Sequence, residues 1–194
     1  MSATRAIAVF DFDNTLVKGD SLWPFLVAVA GGPRCAIVLA RAFALAAWRG
    51  RGKDRRTLIK AYLLEHLLGG RRADAFDQAI AKLKNWKKEL PAMDALRKHH
   101  ADGHHIVIAT GSLNLYMPAL LEGIPHDALL CTQMEIADGV VTGKMVSGNC
   151  VRLRKAEFIE KYLRERGPFT ESWGYGNAPH DLPMLNLVKH RVIV

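Results

Sequence analysis

Ala8-Val9-Phe10-Asp11-Phe12-Asp13-Asn14-Thr15-Leu16 is the stretch on which the fold turns. The apolar run leading into it, residues 6–10, has the length and composition of a buried strand. It ends abruptly in two carboxylates one residue apart. In an extended chain, side chains i and i+2 share a face, so Asp11 and Asp13 point the same way at the strand's C-terminal end. Carboxylates this close repel each other unless a cation sits between them or one of them holds a proton. The same residues also suit a plain Asp/Asn turn at a strand end, so the pair alone leaves both readings open.

Working outward, Val17-Lys18-Gly19-Asp20-Ser21 reads as a turn, with Asp20 or Ser21 capping a helix from about Leu22. Residues 22–90 then read as helices separated by breakers: Gly31-Gly32-Pro33, the tract from Gly50 to Asp54, and Gly69-Gly70. Four helical pieces are expected, near 22–30, 34–49, 54–67 and 72–88, with no strand among them. The second, Cys35 to Trp48, is apolar except for Arg41. It falls short of the roughly 20 apolar residues that span a bilayer. A buried helix is the expectation, and an interfacial helix with basic flanks is the alternative.

Beyond Pro91 the pattern changes. A helix over about 91–98 is followed by a strand over 105–109, which ends at Thr110-Gly111-Ser112 ahead of a helix over 113–122. A shorter strand covers 128–131. Asp138-Gly139 marks a tight hairpin, and a helix over 154–166 carries Lys155 in its first turn. A fourth strand closes at Asn177, a helix follows over 181–188, and a last strand covers 190–194. Strands alternating with helices imply an α/β fold, a Rossmann-like doubly wound parallel sheet with a helical insertion after its first strand. The domain boundaries expected are 1–20 with 91–194 for the core and 21–90 for the inserted helical cap.

The net charge of +8 is unevenly placed. Lys and Arg against Asp and Glu stand at 3 to 3 over residues 1–40, 13 to 5 over 41–90 and 11 to 11 over 91–194. A neutral chassis with a basic insertion points to an anionic substrate or surface. The three cysteines, Cys35, Cys131 and Cys150, are scattered without metal-ligand spacing. Together with an N-terminus that leaves no room for a signal peptide, they give a cytoplasmic expectation. No stacking-and-basic motif accompanies the basic segment, so nucleic acid is not an expected partner.

In such sheets, ligands bind beyond the carboxyl ends of the strands. Three strands end there in polar residues: Asp11 with Asp13, Thr110 with Ser112, and Asn177 with Asp181. Lys155 adds a cation at a helix start. An aspartate able to attack phosphorus, a second carboxylate, hydroxyls beside main-chain N–H groups, and a lysine together suit phosphoryl transfer. Mg²⁺ prefers hard oxygen ligands of the kind gathered there. The N–H groups at Gly111 and Ser112, ahead of a helix, are expected to receive phosphate oxygens.

On these residues the chain resembles the haloacid dehalogenase superfamily of phosphatases, in the branch similar to phosphoserine phosphatases whose helical cap follows the first strand. The motifs matched are Asp11-Phe12-Asp13-Asn14-Thr15, then Ile106-Val107-Ile108-Ala109-Thr110, then Lys155, then Gly176-Asn177-Ala178-Pro179-His180-Asp181. The resemblance implies a Mg²⁺-dependent phosphomonoester hydrolase working through an aspartyl-phosphate. It makes Asp11 the nucleophile and a metal ligand. Asp13 becomes the acid and base, its main-chain carbonyl also on the metal, and Asn177 and Asp181 complete the metal set. Thr110, Gly111, Ser112 and Lys155 hold the phosphoryl group, with His180 near the substrate. The family's usual Asp at the start of the fourth motif is here Asn177, which removes one negative charge from the expected metal site.

A phosphomutase or phosphotransferase uses the same carboxylates, and a non-catalytic phosphate-binding protein is the reading that Asn177 prompts. The expected partner is a small anionic phosphorylated substrate, either a metabolite or a lipid head group. The basic insertion adds the expectation of peripheral contact with a membrane surface. Trp23, Trp48, Tyr62 and Trp86 are candidate pocket aromatics in the cap, or plain core.

Overall fold

The structure, a computed structural model, describes residues 6–49, 54–85 and 88–194 and excludes the side chain of Arg49. Trp86 and the tract 50–53 lie outside the described residues. The elements run β1 (Ala6–Phe10), α1 (Leu22–Ala30), α2 (Gly32–Arg49), α3 (Arg55–Leu68), β2 (Arg71–Arg72), α4 (Asp77–Lys84), α5 (Ala92–Ala101), β3 (His105–Leu113), α6 (Met117–Leu120), β4 (Ala128–Thr132), β5 (Met134–Ala137), β6 (Val140–Met145), α7 (Arg152–Arg166), β7 (Glu171–Gly176), α8 (Leu182–Leu185) and β8 (His190–Ile193).

All five residues of β1 are buried, as a strand covered on both faces requires. It lies at the centre of a five-stranded sheet of order β4-β3-β1-β7-β8, every neighbouring pair parallel. Its alternation sorts the core. Ala8 and Phe10 turn to one face, with Met93 and Leu96 of α5, while Ile7 and Val9 turn to the other, with Ile159 of α7 and Met184 and Leu185 of α8. This is the parallel, doubly wound sheet expected from the sequence. The strand order reverses at β1, and that puts the crevice at the end of β1 where Asp11 and Asp13 emerge.

The helices α1 to α4 occupy the stretch between β1 and β3, close to the expected bounds. The fourth piece differs. Arg71–Arg72 forms a short strand, Ala73–Phe76 a 3₁₀ turn, and only Asp77–Lys84 is α-helix. β2 pairs antiparallel with β6, making a second sheet of order β2-β6-β5 that ties the insertion to the core. Two residues give no alternation to read. The hairpin itself follows its sequence signal: Asp138 and Gly139 both take positive φ, 51° and 76°. α3 lies so close on β6 that a Cβ at Gly143 would stand 2.7 Å from the Glu65 Cα.

The expected helix over 113–122 is largely absent. β3 continues to Leu113, which pairs with Thr132, and Asn114 then accepts the Met134 N–H on its side chain at 2.8 Å. Only Met117–Leu120 is helical. Burial of Ser112 and Leu113 beneath the insertion outweighs the local helix signal. No helix therefore begins at Gly111, and its N-terminus cannot receive phosphate there. The helix over 181–188 likewise shrinks to Leu182–Leu185.

α2 departs from the buried-helix expectation. Cys35, Val38, Ala42 and Ala46 are buried, but Ile37, Phe43 and Trp48 are exposed. Among the described residues, no single helix is long and apolar enough to cross a membrane; α1 and α2 pass that test only as a pair bent by 119°.

Candidate active site

Beyond β1 the chain turns back at once. Asn14 takes φ 61°, a left-handed conformation that Asn tolerates, and its side chain accepts the Gly19 N–H at 2.9 Å. This tight loop aims Asp11 and Asp13 into a cavity of about 290 Å³, lined also by Thr110, Asn177, Lys60 and Arg56.

Asp11 is buried. One oxygen accepts from Lys155 Nζ at 2.7 Å and the other from Thr15 Oγ1 at 2.9 Å. Lys155, in the first turn of α7, also donates to Asp181 Oδ1 at 2.6 Å, while Asp181 Oδ2 accepts the Asn177 N–H at 3.0 Å. A lysine shared by two buried carboxylates leaves one negative charge uncompensated. Burial raises the Asp11 pKa, Lys155 opposes this and the Asp181 charge adds to it. Burial works against the Lys155 charge, yet the two carboxylates override it and raise its pKa.

Asp13 has a different setting. Its oxygens accept from the Ser21 N–H at 2.9 Å, from Ser21 Oγ at 3.1 Å and from Ser112 Oγ. Ser21 Oγ in turn lies 2.7 Å from Ser112 Oγ and 3.2 Å from the Tyr116 hydroxyl. Burial pushes Asp13 up to about 7, against the Ser112 hydrogen bond and with the charges of Asp20 and Asp11. Adjacent carboxylates in such unlike surroundings are suited to unlike tasks.

The expected site residues converge. Thr110 is fully buried at the end of β3 and accepts the Ser112 N–H on its hydroxyl at 3.1 Å. Gly111 lines the cavity, but Ser112 commits its hydroxyl to Asp13. Asp181 commits one oxygen to Lys155 and the other to the Asn177 N–H. His180 Nε2 accepts from Arg56 Nη1 of α3 at 3.0 Å. The sequence reading missed Ser21, Tyr116, Lys60, Asn149 and Thr132. Only Ser21 carried a signal, as the expected cap of α1.

The oxygens present fit a small hard cation. The Asn177 side chain lies 3.4 Å from the Asp13 carbonyl and 3.5 Å from Thr15 Oγ1, beside Asp11. Turning that amide over presents its oxygen instead of its nitrogen to the same space. The Asp11 carboxylate, the Asp13 carbonyl and the Asn177 amide then offer three hard donors, and the uncompensated charge on Asp11 and Asp181 calls for a cation. Among the described residues, no cluster of three His, Cys, Asp or Glu side chains offers a rival metal site.

A family model for haloacid dehalogenase-like hydrolases matches residues 8–186, nearly the whole chain. The chain belongs to the haloacid dehalogenase-like hydrolase family. Within that family its likeness is to the phosphoserine phosphatase branch. It is 26% identical over 183 residues to the phosphoserine phosphatase SerB2 of Mycobacterium tuberculosis, covering 94% of this chain and 42% of that protein. The chain thus spans less than half the length of that relative. Among solved structures, a Bordetella pertussis protein of unknown function superposes with a TM-score of 0.81 at 24% identity, over 98% of this chain and 90% of the other. A phosphoserine phosphatase holding an analogue of its phospho-aspartyl intermediate superposes with a TM-score of 0.65 at 17% identity, over 98% and 86%. These two likenesses speak to the haloacid dehalogenase fold.

Proposed function

We propose that this chain is a Mg²⁺-dependent phosphomonoester hydrolase that works through an aspartyl-phosphate on Asp11. The observation carrying the reading is the division of labour at the end of β1: Asp11 held by Lys155, and Asp13 caged two residues on by Ser21 and Ser112. Binding a phosphate needs no such pair, and that argues against a non-catalytic role.

A carboxylate oxygen of Asp11 attacks the phosphorus and the bond to the leaving oxygen breaks. Asp13 gives its proton to that oxygen, releasing an alcohol. A water then attacks the phosphorus, Asp13 takes its proton, and the bond to Asp11 breaks to free inorganic phosphate. Lys155 offsets the charge that builds on the phosphoryl oxygens and on Asp11. Thr110 and Gly111 border the position of the phosphoryl group, and Asp181 and Thr15 hold Lys155 and Asp11 in place. Mg²⁺, held by Asp11, the Asp13 carbonyl and Asn177, supplies positive charge against the phosphoryl oxygens.

Residues 21–90 act as the cap that reads the leaving group, through Arg56 and Lys60 on the pocket wall. That wall suits an anionic phosphorylated metabolite or lipid head group. Phosphate release from a varied phosphomonoester panel, with and without Mg²⁺, tests the reading. Metal-dependent release that Asp11→Asn abolishes supports it. Silence of both the chain and its Asn177→Asp variant across the panel sinks it.

A further inference from the structure

The exposed face of α2 has no part in this chemistry, yet it is unlike an ordinary solvent face. Ile37, Arg41, Ala44 and Trp48 follow at helical spacing, flanked by Ala36, Ala40, Phe43 and Ala47, and all are exposed. Ile37, Phe43 and Trp48 are 55%, 57% and 78% exposed, and α2 runs 18 residues, about 27 Å at 1.5 Å per residue. Contiguous apolar surface of this kind on a helix marks a contact site.

The charge pattern names the occupant. From Ser21 to Lys53 the sequence holds Arg34, Arg41, Arg49, Arg51 and Lys53 and no Asp or Glu. Among the described side chains of α2 the charged ones are Arg34 and Arg41, both basic and exposed, so a two-fold dimer through this face would set like charges against each other. An anionic bilayer offers what the face lacks, an apolar interior beneath negative head groups. Trp48 stands near the C-terminal end of the helix, and Trp favours the boundary between the two layers.

We infer that the α2 face, from Ile37 to Trp48, docks this chain peripherally on anionic lipid surfaces. The chain continues from Trp48 through the basic tract to Asp54 and Arg56, which line the active-site cavity. In sequence, the docking face is thus followed within eight residues by two residues of the pocket lining. The inference does not need the proposed hydrolysis: lipid binding and phosphate release are measured separately, and either can fail alone.

The test is co-flotation with vesicles of equal phosphatidylglycerol and phosphatidylcholine against vesicles of phosphatidylcholine alone, at low and high salt. The expected result is flotation with the anionic vesicles only, weakened by salt. Phe43→Glu with Trp48→Glu should lower vesicle affinity by more than about tenfold. Circular dichroism and the thermal midpoint, unchanged in the double variant, show that the loss is not unfolding, and Arg41→Glu supplies a second variant on the same face. Absence of flotation at low salt overturns the inference. So does flotation unchanged in both variants, or light scattering that shows a dimer which Phe43→Glu with Trp48→Glu dissociates while the wild type ignores vesicles.

Discussion

Lys60 of α3 reaches across the pocket and places its ammonium 2.7 Å from the side-chain oxygen of Asn149. The same nitrogen donates to the Gly111 carbonyl and lies 3.3 Å from Thr132 Oγ1. Among the described residues, no carboxylate stands within ion-pair distance of it. The insertion is thus fastened to the strand end that borders the proposed phosphoryl position by a cation resting on neutral oxygens. Removing the cation while keeping the stem, as in Lys60→Met, should free the Gly111 peptide and lower kcat/KM by about 10- to 100-fold, the worth of a hydrogen bond to a charged group. Lys60→Arg should restore less than half of the lost activation energy, since a planar fork does not fit three oxygens set around one nitrogen. Steady-state kinetics on the best substrate of the panel checks both.

The same lysine makes stability depend on pH. Burial lowers its pKa from 10.5 to about 8, against the charges of Asp20 and others. Between those values the unfolded chain holds a proton that the folded chain has released. Unfolding therefore takes up a proton, and stability from this group rises with pH across that window. The thermal midpoint of the wild type should climb, relative to Lys60→Met, between about pH 8 and 10. A difference that is flat or falls over that range would show that the ammonium is not enclosed.

Asp13 is predicted to matter in proportion to how badly the leaving group needs its proton. Asp13→Asn should cost about 10²- to 10⁴-fold on an alkyl phosphate, the usual range for a positioned acid. On an aryl phosphate, whose phenolate leaves without help, the cost should be clearly smaller. An equal loss on both would mean that the variant had disturbed Asp11 instead. The hydroxyl cage makes this a fair comparison, because an amide can still accept from the Ser21 N–H.

Asn177→Asp tests the metal set. The new carboxylate adds a full charge beside Asp11 and the Asp13 carbonyl, and ligand charge tunes affinity for hard cations. Mg²⁺ should bind about 10-fold or more tightly, read as the concentration giving half the thermal stabilisation, with half-activation shifting alike. Without Mg²⁺ the variant should be less stable than the wild type, since it adds a further carboxylate beside Asp11 and Asp181, which already share one lysine.

How far the sequence could be read follows from the range of the forces at each place. β1 and β3 were legible because strands buried on both faces need unbroken apolar runs, and these end in Asp11 and Thr110. β7, Glu171-Ser172-Trp173-Gly174-Tyr175-Gly176 and only half-buried over most of its length, was placed instead by the motif that closes it at Asn177. The hairpin was legible because Asp138-Gly139 is local chemistry. The β2–β6 pairing was not, since a two-residue strand leaves no periodicity. The shortening of the helix after Ser112 was equally hidden: it is decided by Thr132 and Met134, some 20 residues away. The cage around Asp13 depends on Ser21 and Tyr116 meeting only after the insertion folds back. Lys60 was one basic residue among thirteen in its segment, and nothing local distinguished it.

Gly143 reports whether the insertion and the hairpin need each other. It takes φ +87°, and an added Cβ would stand 2.7 Å from the Glu65 Cα and 3.3 Å from the Gly69 Cα. Both neighbours are backbone, so neither can swing aside as a side-chain tip would. Gly143→Ala therefore combines left-handed strain with overpacking and should destabilise by about 2–4 kcal/mol. That corresponds to a fall of roughly 5–15 °C in the thermal midpoint for a chain of this size. Because α3 carries Lys60 and Arg56, the push should also loosen the pocket wall and raise KM for an anionic substrate well below the melting range. A variant that melts early but keeps its KM would show that α3 stays in place while only the hairpin yields.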